Sequence, residues 1–231
     1  MAAHLPPRVT ELANDLTTDI DLASSIGAVR LLGSSDAMLF SGWGGLPGIS
    51  SDEMVASASA LVRAISTALR HPSGRVIFMG CGTSGRLAHL ISRGLNMWLS
   101  RTSCVPAGRF DYLIAGSDAA LLLPQEAVED QCESGRQDLE EWTLKAQLGH
   151  DTPVVVIGIS CGLSATYVAS ALQAALSNPA YVAVAFGFNP VESIINVRVD
   201  GWKSSFYSVL KVSQELGRKY GVRGSSFLYF G

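Results

Sequence analysis

The sequence predicts an α/β fold in which a doubly wound, mostly parallel sheet lies between two layers of helices, preceded by an N-terminal helical extension. Four short runs rich in β-branched residues recur along the chain, and segments with apolar residues at helical spacing separate them. Each run is almost uninterrupted by polar residues, which is typical of strands that helices cover on both faces. The alternation of strands and helices favours parallel strands joined by right-handed crossovers, which build a three-layer αβα arrangement.

The individual elements follow from these periodicities. The predicted strands are Arg75–Gly80, Asp111–Gly116, Pro153–Ser160 and Tyr181–Gly187. Helices are predicted over Val55–Leu69, Leu87–Leu95, Cys132–Leu148, Val168–Leu176 and Phe206–Leu216. The main connections are Ser41–Ser51, Ser100–Arg109 and Gly187–Gly201.

The first of these connections divides the chain into two parts. Its sequence, SGWGGLPGISS, is rich in Gly, Ser and Pro, which favour turns over helices and strands. We therefore expect a helical extension and linker over residues 1–50 and the sheet domain over residues 51–231. The chain ends on the aromatic run Tyr220–Gly231 with no helix cap, an ending that a truncated or aberrantly spliced chain explains as readily as a complete one; of these, truncation of the sheet domain is the prediction.

Composition and charge limit the class of protein. Of the 231 residues, 48% are hydrophobic and 16% are charged, so that a large core can form. A net charge of −3 provides no basic surface, which argues against nucleic-acid and membrane partners. The N-terminus lacks the apolar segment of a secretion signal, and no apolar run is long enough to span a membrane. We expect a soluble protein of the cytoplasm, the nucleus or both.

The four cysteines predict neither a metal centre nor a disulfide framework. Cys81, Cys104, Cys132 and Cys161 are widely spaced and form no CxxC pair. The expectation is that all four are buried as small hydrophobic side chains. No cofactor and no metal site is predicted.

The first candidate site is the segment Gly80-Cys-Gly-Thr-Ser-Gly85, directly after the first strand and at the start of a helix. Its glycines allow the backbone to approach a ligand, Thr83 and Ser84 add hydroxyl donors, and the helix start offers unpaired N–H groups to an anion. The spacing also fits the dinucleotide pattern G-x-G-x-x-G. That pattern requires an acidic residue near position 105, where the sequence has neither Asp nor Glu. Arg86 stands where a nucleophile elbow requires glycine, and no P-loop GK[ST] occurs.

The second candidate site is Ser160-Cys-Gly-Leu-Ser-Ala-Thr166, which again follows an apolar strand and begins a helix. Two hydroxyl-rich turns at the carboxyl ends of parallel strands are what an anion site at a switch point of the sheet requires. The structural alternative is that Ser164 or Thr166 only caps the helix.

An acidic segment lies between the two turns in the sequence. Pro124-Gln-Glu-Ala-Val-Glu-Asp130 and Glu133 supply carboxylates that could accept hydrogen bonds from ligand hydroxyls or act as acid and base. The alternative is an acidic first turn of the Cys132–Leu148 helix, stabilised by the helix dipole.

Five motifs in order resemble the sugar-isomerase (SIS) domain family. They are Gly82-Thr-Ser-Gly-Arg-Leu87, Tyr112-Leu-Ile-Ala-Gly116, Glu126-x-x-Glu-Asp130, Gly158-Ile-Ser-x-Gly-Leu-Ser-Ala165 and Gly187-Phe-Asn-Pro190. Asp15–Phe40 is similar to the family's N-terminal helix, so that the resemblance extends from Asp15 to Trp202. The family includes the N-acetylmuramic acid 6-phosphate etherases and the glucokinase regulatory proteins. The resemblance implies a flavodoxin-like SIS domain.

Two departures from the etherase pattern favour a regulatory role. Where the etherases carry a Glu in the helix after the first turn, this chain has Gly94. Where they read Ser-Gly-Arg-Thr-Pro, this chain reads Ser160-Cys-Gly-Leu-Ser164, which is similar to the regulatory proteins. The resemblance therefore implies binding without catalysis, and no catalytic residue is assigned. The alternatives are an etherase-like lyase and an inactive, truncated SIS remnant.

The resemblance also implies a binding site and partners. Its sugar-phosphate-binding residues would be Gly82, Thr83, Ser84, Glu129, Ser160, Cys161 and Gly162. The ligands would be fructose 6-phosphate and fructose 1-phosphate, and the target of inhibition would be glucokinase, a hexokinase, contacted near Ala180 and Tyr181. The family continues with a second SIS domain and a lid, so that the half site predicted here would require a homodimer or the rest of a longer chain.

Overall fold

The computed structural model describes residues 8–102, 106, 108–195, 202–212 and 228–230. They form a five-stranded, all-parallel sheet with helices on both faces, in the strand order β2-β1-β3-β4-β5. The strands are β1 (Arg75–Gly80), β2 (Phe110–Ile114), β3 (Val154–Ile159), β4 (Tyr181–Phe186) and β5 (Leu228–Phe230). The α-helices are α1 (Ser25–Ser41), α2 (Asp52–Arg70), α3 (Gly82–Thr102), α4 (Ala119–Leu122), α5 (Cys132–Lys145) and α6 (Thr166–Leu176), followed by helical residues 206–212.

The two faces of the sheet carry separate apolar cores. Side chains alternate along β1, so that Val76 and Phe78 pack with α2 and α3, whereas Ile77 and Met79 pack with α5 and α6. Helical residues 206–212 join the second layer. The predicted doubly wound α/β fold is therefore confirmed.

The α5–α6 layer is closely packed because a glycine lies at the helix contact. A Cβ atom at Gly135 of α5 would overlap the carbonyl oxygen of Tyr167 in α6. The Tyr167 hydroxyl donates a hydrogen bond to Asp138 across the same contact, at 2.7 Å. Because α5 begins just after the acidic segment and α6 just after the second glycine-rich turn, this contact sets how the two helices approach the candidate site.

A side chain of α3 holds the start of the edge strand β2. Asn96 Oδ1 accepts hydrogen bonds from the backbone N–H groups of Gly108, Arg109 and Phe110, and its amide donates to the Phe110 carbonyl at 2.7 Å. These bonds occupy the backbone groups of Phe110, which are then unavailable to another strand at this end of the edge. Because α3 continues to Thr102, the predicted connection Ser100–Arg109 begins later than expected.

The N-terminal extension differs from the predicted single helix over Asp15–Phe40. Its first part forms the 3₁₀ helices Val9–Glu11, Asp15–Thr17 and Ile20–Leu22, and α1 begins only at Ser25. The reason is local capping: Ser24 is extended, and its side chain accepts a hydrogen bond from the Gly27 N–H. α1 ends at Ser41 and Ser51 caps α2, so that a segment without helix separates these two helices.

The C-terminal part contains a strand that the sequence did not predict. Leu228–Phe230 pairs with β4 in parallel, within the run that was interpreted only as an uncapped aromatic ending. Of the predicted Phe206–Leu216 helix, residues 206–212 are helical, and the others lie outside the described residues. The predicted truncation and the boundary between two domains stay predictions.

Candidate functional site

The two glycine-rich turns lie next to each other at the carboxyl edge of the sheet. β1 and β3 are neighbours, and Gly80 pairs with Ile159 at their ends. From β1 the chain enters α3 and returns in β2, whereas from β3 it enters α6, on the opposite face, and returns in β4. This divergence of two connections is a topological switch point, the usual place for a ligand in an open α/β sheet.

The first turn presents an open helix start. Gly82 begins α3 at a φ of +50°, which favours glycine, and a Cβ there would meet no atom within 4 Å. Thr83 is exposed and Ser84 half-buried, and within the described residues their hydroxyls form no hydrogen bond. The first N–H groups of a helix have no acceptor within it, so this turn offers backbone and hydroxyl donors at a positive dipole end.

The second turn is shaped by the side chain of Ser160, which is buried. Ser160 Oγ accepts hydrogen bonds from the N–H groups of Ser164 at 3.2 Å and Ala165 at 3.3 Å. Ala165 is the N-cap of α6 and makes no side-chain cap bond, so the alternative of a Ser164 or Thr166 cap is wrong. Ser160 thus has a structural role that the sequence did not reveal.

An amide side chain holds the second turn against the N-terminal extension. Asn189 is fully buried, and its Nδ2 donates to the Gly162 carbonyl at 3.0 Å and to Thr10 Oγ1 at 2.9 Å. The Thr10 N–H donates back to Asn189 Oδ1 at 3.1 Å. Asn189 belongs to the recognised motif Gly187–Pro190, where its polarity beside apolar residues was a usable signal. Nothing in the sequence indicated a role for Thr10, since its hydrogen-bond partner Asn189 is distant in the chain.

The acidic segment reaches both turns. The Glu129 carbonyl accepts hydrogen bonds from the Tyr167 N–H at 2.9 Å and from Thr166 Oγ1 at 3.1 Å, which joins the segment to the start of α6. Burial, followed by the negative charges of Glu129 and Asp130, raises the pKa of Cys81 to about 12. The acidic segment is thus bonded to the start of α6, and its negative charges act on Cys81 of the first turn.

The helix-cap interpretation of these carboxylates holds for one residue. Glu133 is the acidic residue in the first turn of α5, where it pairs with Arg136 at 2.8 Å. Glu126, Glu129 and Asp130 precede the helix and are exposed. They are accordingly available to a ligand, whereas Glu133 stabilises α5.

The cysteines differ from the expectation of uniform burial. Cys161 is exposed, because it lies on the open side of the second turn, and Cys81 and Cys132 are half-buried. With a pKa of about 12, Cys81 stays a neutral thiol at physiological pH and is no nucleophile. Cys104 lies outside the described residues.

Gly94, which replaces the etherase carboxylate, is far from the turns. It is exposed in the middle of α3, and a Cβ there would meet no atom within 4 Å. Twelve residues separate it from Gly82 along a continuous helix, which corresponds to about 18 Å. On this helix, a carboxylate at position 94 could not reach the first turn of the same chain.

The predicted partner contact lies at the opposite edge of the sheet. Ala180 and Tyr181 are at the amino end of β4, whereas both turns are at carboxyl ends. Tyr181 is only 4% exposed, and its hydroxyl lies 3.2 Å from Thr143 Oγ1. The ring of Tyr181 belongs to the core, whereas Ala180 is half-buried, and the contact with a partner near these residues stays a prediction.

Two further observations concern the described residues only. They contain no helix that is both long and apolar enough to cross a lipid bilayer. Among these same residues, no group of three or more His, Cys, Asp or Glu side chains is placed to hold a metal ion.

Comparison with known proteins identifies relatives of two kinds. The human glucokinase regulatory protein is 35% identical over 219 residues, which cover 91% of this chain and 34% of that protein. The rat glucokinase regulatory protein is 33% identical over 217 residues, with the same coverage of 91% and 34%. The N-acetylmuramic acid 6-phosphate etherase of Gloeothece citriformis (strain PCC 7424) is 30% identical over 187 residues, which cover 80% of this chain and 54% of the etherase.

The chain spans about a third of the length of the regulatory proteins that it matches, at 34%. A family model described as the glucokinase regulatory protein N-terminal SIS domain matches residues 60–176. This segment is half of the chain and includes both turns and the acidic segment. The chain therefore belongs to the glucokinase regulatory protein family, with the fold of its N-terminal SIS domain.

Proposed function

We propose that this chain is a non-catalytic regulatory domain that binds fructose 6-phosphate or fructose 1-phosphate at the switch point between β1 and β3. The observation that carries the proposal is the meeting of two donor-rich turns at adjacent strand ends beside an exposed carboxylate. The binding of the sugar phosphate would control inhibition of glucokinase, as the names of the regulatory relatives suggest.

The donor groups of the turns suit a phosphate. Thr83 and Ser84 have uncommitted hydroxyls within the described residues, next to the free N–H groups that begin α3. In the second turn Ser160 uses its oxygen as an acceptor, so that its hydroxyl hydrogen stays available to an anion. The Gly162 carbonyl accepts a hydrogen bond from Asn189, and the N–H of Gly162 is left to donate to a ligand.

The acidic segment suits the sugar and fixes the orientation of the ligand. The carboxylate of Glu129 accepts hydrogen bonds from hydroxyl groups but repels a phosphate. A phosphorylated sugar would therefore place its phosphate over the turns and its hydroxyls towards Glu129. This division between donors and acceptors distinguishes a sugar phosphate from inorganic phosphate alone.

Catalysis would need a second proton-transfer group on the other side of the sugar. Gly94 supplies none, and a position about 18 Å along α3 could not place one at the first turn. The neutral thiol of Cys81 is unsuited to the role. These observations support binding of a sugar phosphate without cleavage of an ether bond.

Calorimetric titration tests the binding. Fructose 6-phosphate should give a saturable heat, and Ser84→Ala should weaken the affinity about tenfold, because a hydrogen bond to a charged group is lost. Ser100→Ala, on an exposed position far along the same helix, is the matched control and should leave the affinity unchanged. The absence of any heat at millimolar concentrations of both fructose phosphates would contradict the proposal.

Two activity assays distinguish the regulator from the lyase that the etherase relatives suggest. Purified glucokinase should be inhibited by the chain to an extent that depends on the fructose phosphate present. Incubation with N-acetylmuramic acid 6-phosphate should release no lactate above the level of Glu129→Gln. Lactate release by the unaltered chain alone would establish the lyase in place of the regulator.

A further inference from the structure

The N-terminal extension lies directly beside the second turn. Asn189 connects them through three hydrogen bonds, two to Thr10 and one to the Gly162 carbonyl. A Cβ atom added at Gly162 would lie 3.6 Å from Thr10 Oγ1, so the hydroxyl faces the turn at the position where Gly162 has no side chain. Two segments that are distant in the sequence therefore form one hydrogen-bonded unit at the carboxyl edge of β3.

The hydrogen-bond pattern of Thr10 leaves one group unused. Its N–H donates to Asn189 Oδ1, and its Oγ1 accepts from Asn189 Nδ2. A hydroxyl also carries one hydrogen to donate, and within the described part of the chain this hydrogen has no acceptor. Thr10 is exposed, so the hydrogen can be donated to a molecule that lies over the second turn beside Gly162.

Asn189 restricts the orientation of the Thr10 hydroxyl. Because the buried amide approaches Thr10 Oγ1 at 2.9 Å, it occupies a lone pair and restricts the directions in which the hydroxyl hydrogen can point. The same amide holds the Gly162 carbonyl, which orients the backbone of the predicted phosphate-binding turn. One side chain thus positions donors from both segments.

We infer that Thr10 is a ligand-binding residue of this site, which donates its hydroxyl hydrogen to the phosphorylated sugar and couples the N-terminal extension to occupancy of the second turn. The inference rests on the proposed function, since it assigns a further contact to the same ligand. By thermodynamic reciprocity, the ligand strengthens the seating of residues 8–12, and their seating strengthens ligand binding.

Calorimetric titration of the full chain with fructose 6-phosphate tests the contact. Thr10→Val keeps the shape of the side chain and the N–H bond to Asn189 but removes the hydroxyl, and should weaken the affinity about tenfold. Thr10→Ser restores the hydroxyl and should bind within about twofold of the unaltered chain. The matched control is Thr18→Val in the same extension, where the hydroxyl bonds only to the nearby carbonyls of Asn14 and Asp15.

The outcomes separate this inference from the proposed function. If the unaltered chain binds no fructose phosphate, the proposed function fails and the inference fails with it. If the unaltered chain and Thr10→Val bind equally, only the inference is overturned. Equal weakening by Thr10→Val and Thr18→Val would also overturn it, because the loss would then reflect the stability of the extension.

Amide hydrogen exchange tests the coupling without relying on affinity. The Thr10 N–H, bonded to Asn189, should exchange several-fold more slowly when fructose 6-phosphate is bound, together with the N–H groups of Ser164 and Ala165 in the second turn. In Thr10→Val the slowing at residue 10 should be lost while that in the turn persists. Unchanged exchange at residue 10 with saturating ligand would refute the coupling.

Discussion

Substitution of Gly135 by alanine separates the effect of helix propensity from that of tertiary packing. Alanine in a helix interior is favoured over glycine by about 1 kcal/mol, so that local propensity alone predicts stabilisation. In the structure, Gly135 of α5 faces the backbone of α6, and a Cβ would overlap the Tyr167 carbonyl oxygen and lie 2.7 Å from Ser170 Oγ. The structure therefore predicts the opposite sign.

The magnitude follows from the nature of the obstacle. Overpacking costs about 1–3 kcal/mol, and the upper end applies here because the obstacle is backbone that cannot rotate away. The same Cβ would disturb the 3.1 Å hydrogen bond that Ser170 donates to the Tyr167 carbonyl, which contributes about 1 kcal/mol. After the gain from propensity, Gly135→Ala should lower the free energy of unfolding by about 2–3 kcal/mol.

Urea denaturation followed by circular dichroism measures this difference. Gly94→Ala is the matched control, since Gly94 is also inside a helix but a Cβ there meets nothing within 4 Å. The control should raise the free energy of unfolding by about 0.5–1 kcal/mol. If Gly135→Ala is as stable as Gly94→Ala, the described α5–α6 contact is wrong. A destabilised Gly135→Ala should also bind fructose 6-phosphate less tightly, because α6 begins at the second turn.

Three further predictions concern other parts of the molecule. Alkylation at mildly alkaline pH, followed by mass spectrometry, should modify the exposed Cys161 before Cys81, because the pKa of the Cys81 thiol is raised to about 12. Fructose 6-phosphate should slow the alkylation of Cys161. Burial raises the pKa of the Asp111 carboxyl, so the folded state holds its proton more tightly than the unfolded state does, and the free energy of unfolding falls as the pH rises between the two pKa values. In urea titrations at neutral pH, Asp111→Asn should therefore be more stable than the parent. The control Asp36→Asn, at an exposed position, should match the parent. Asn96→Ala should lower the free energy of unfolding by about 2–3 kcal/mol because four backbone hydrogen bonds are lost, whereas Asn96→Asp keeps the three accepted bonds and should lose clearly less.

Local periodicity predicted most of the sheet. β1 was predicted with its observed ends, and β3 and β4 with errors of one residue, because continuous apolar runs mark buried parallel strands. β5 was missed since three residues carry too little periodicity to be recognised. The N-terminal 3₁₀ helices were missed because their caps compete with helix formation within single turns.

The candidate site could be predicted only in part. The turns after β1 and β3 were visible because glycines and hydroxyl residues follow apolar runs directly. The exposure of Cys161 was not visible, because residue type sets only an average burial and the position of a residue in the fold decides the actual burial. Asn189 stood in a recognised motif, but its partners Thr10 and Gly162 could not be inferred from it.

The sequence by itself determined the kind of fold, the strand-turn-helix units and the donor chemistry of the two turns. These depend on contacts between residues a few positions apart, which periodicity and turn composition record. Only the tertiary structure decided that β3 lies beside β1, that the Glu129 carbonyl binds the start of α6, and that Thr10 meets Gly162 through Asn189. Such contacts join segments far apart in the chain, and they are selected by the packing of whole helices and strands, which no local pattern encodes.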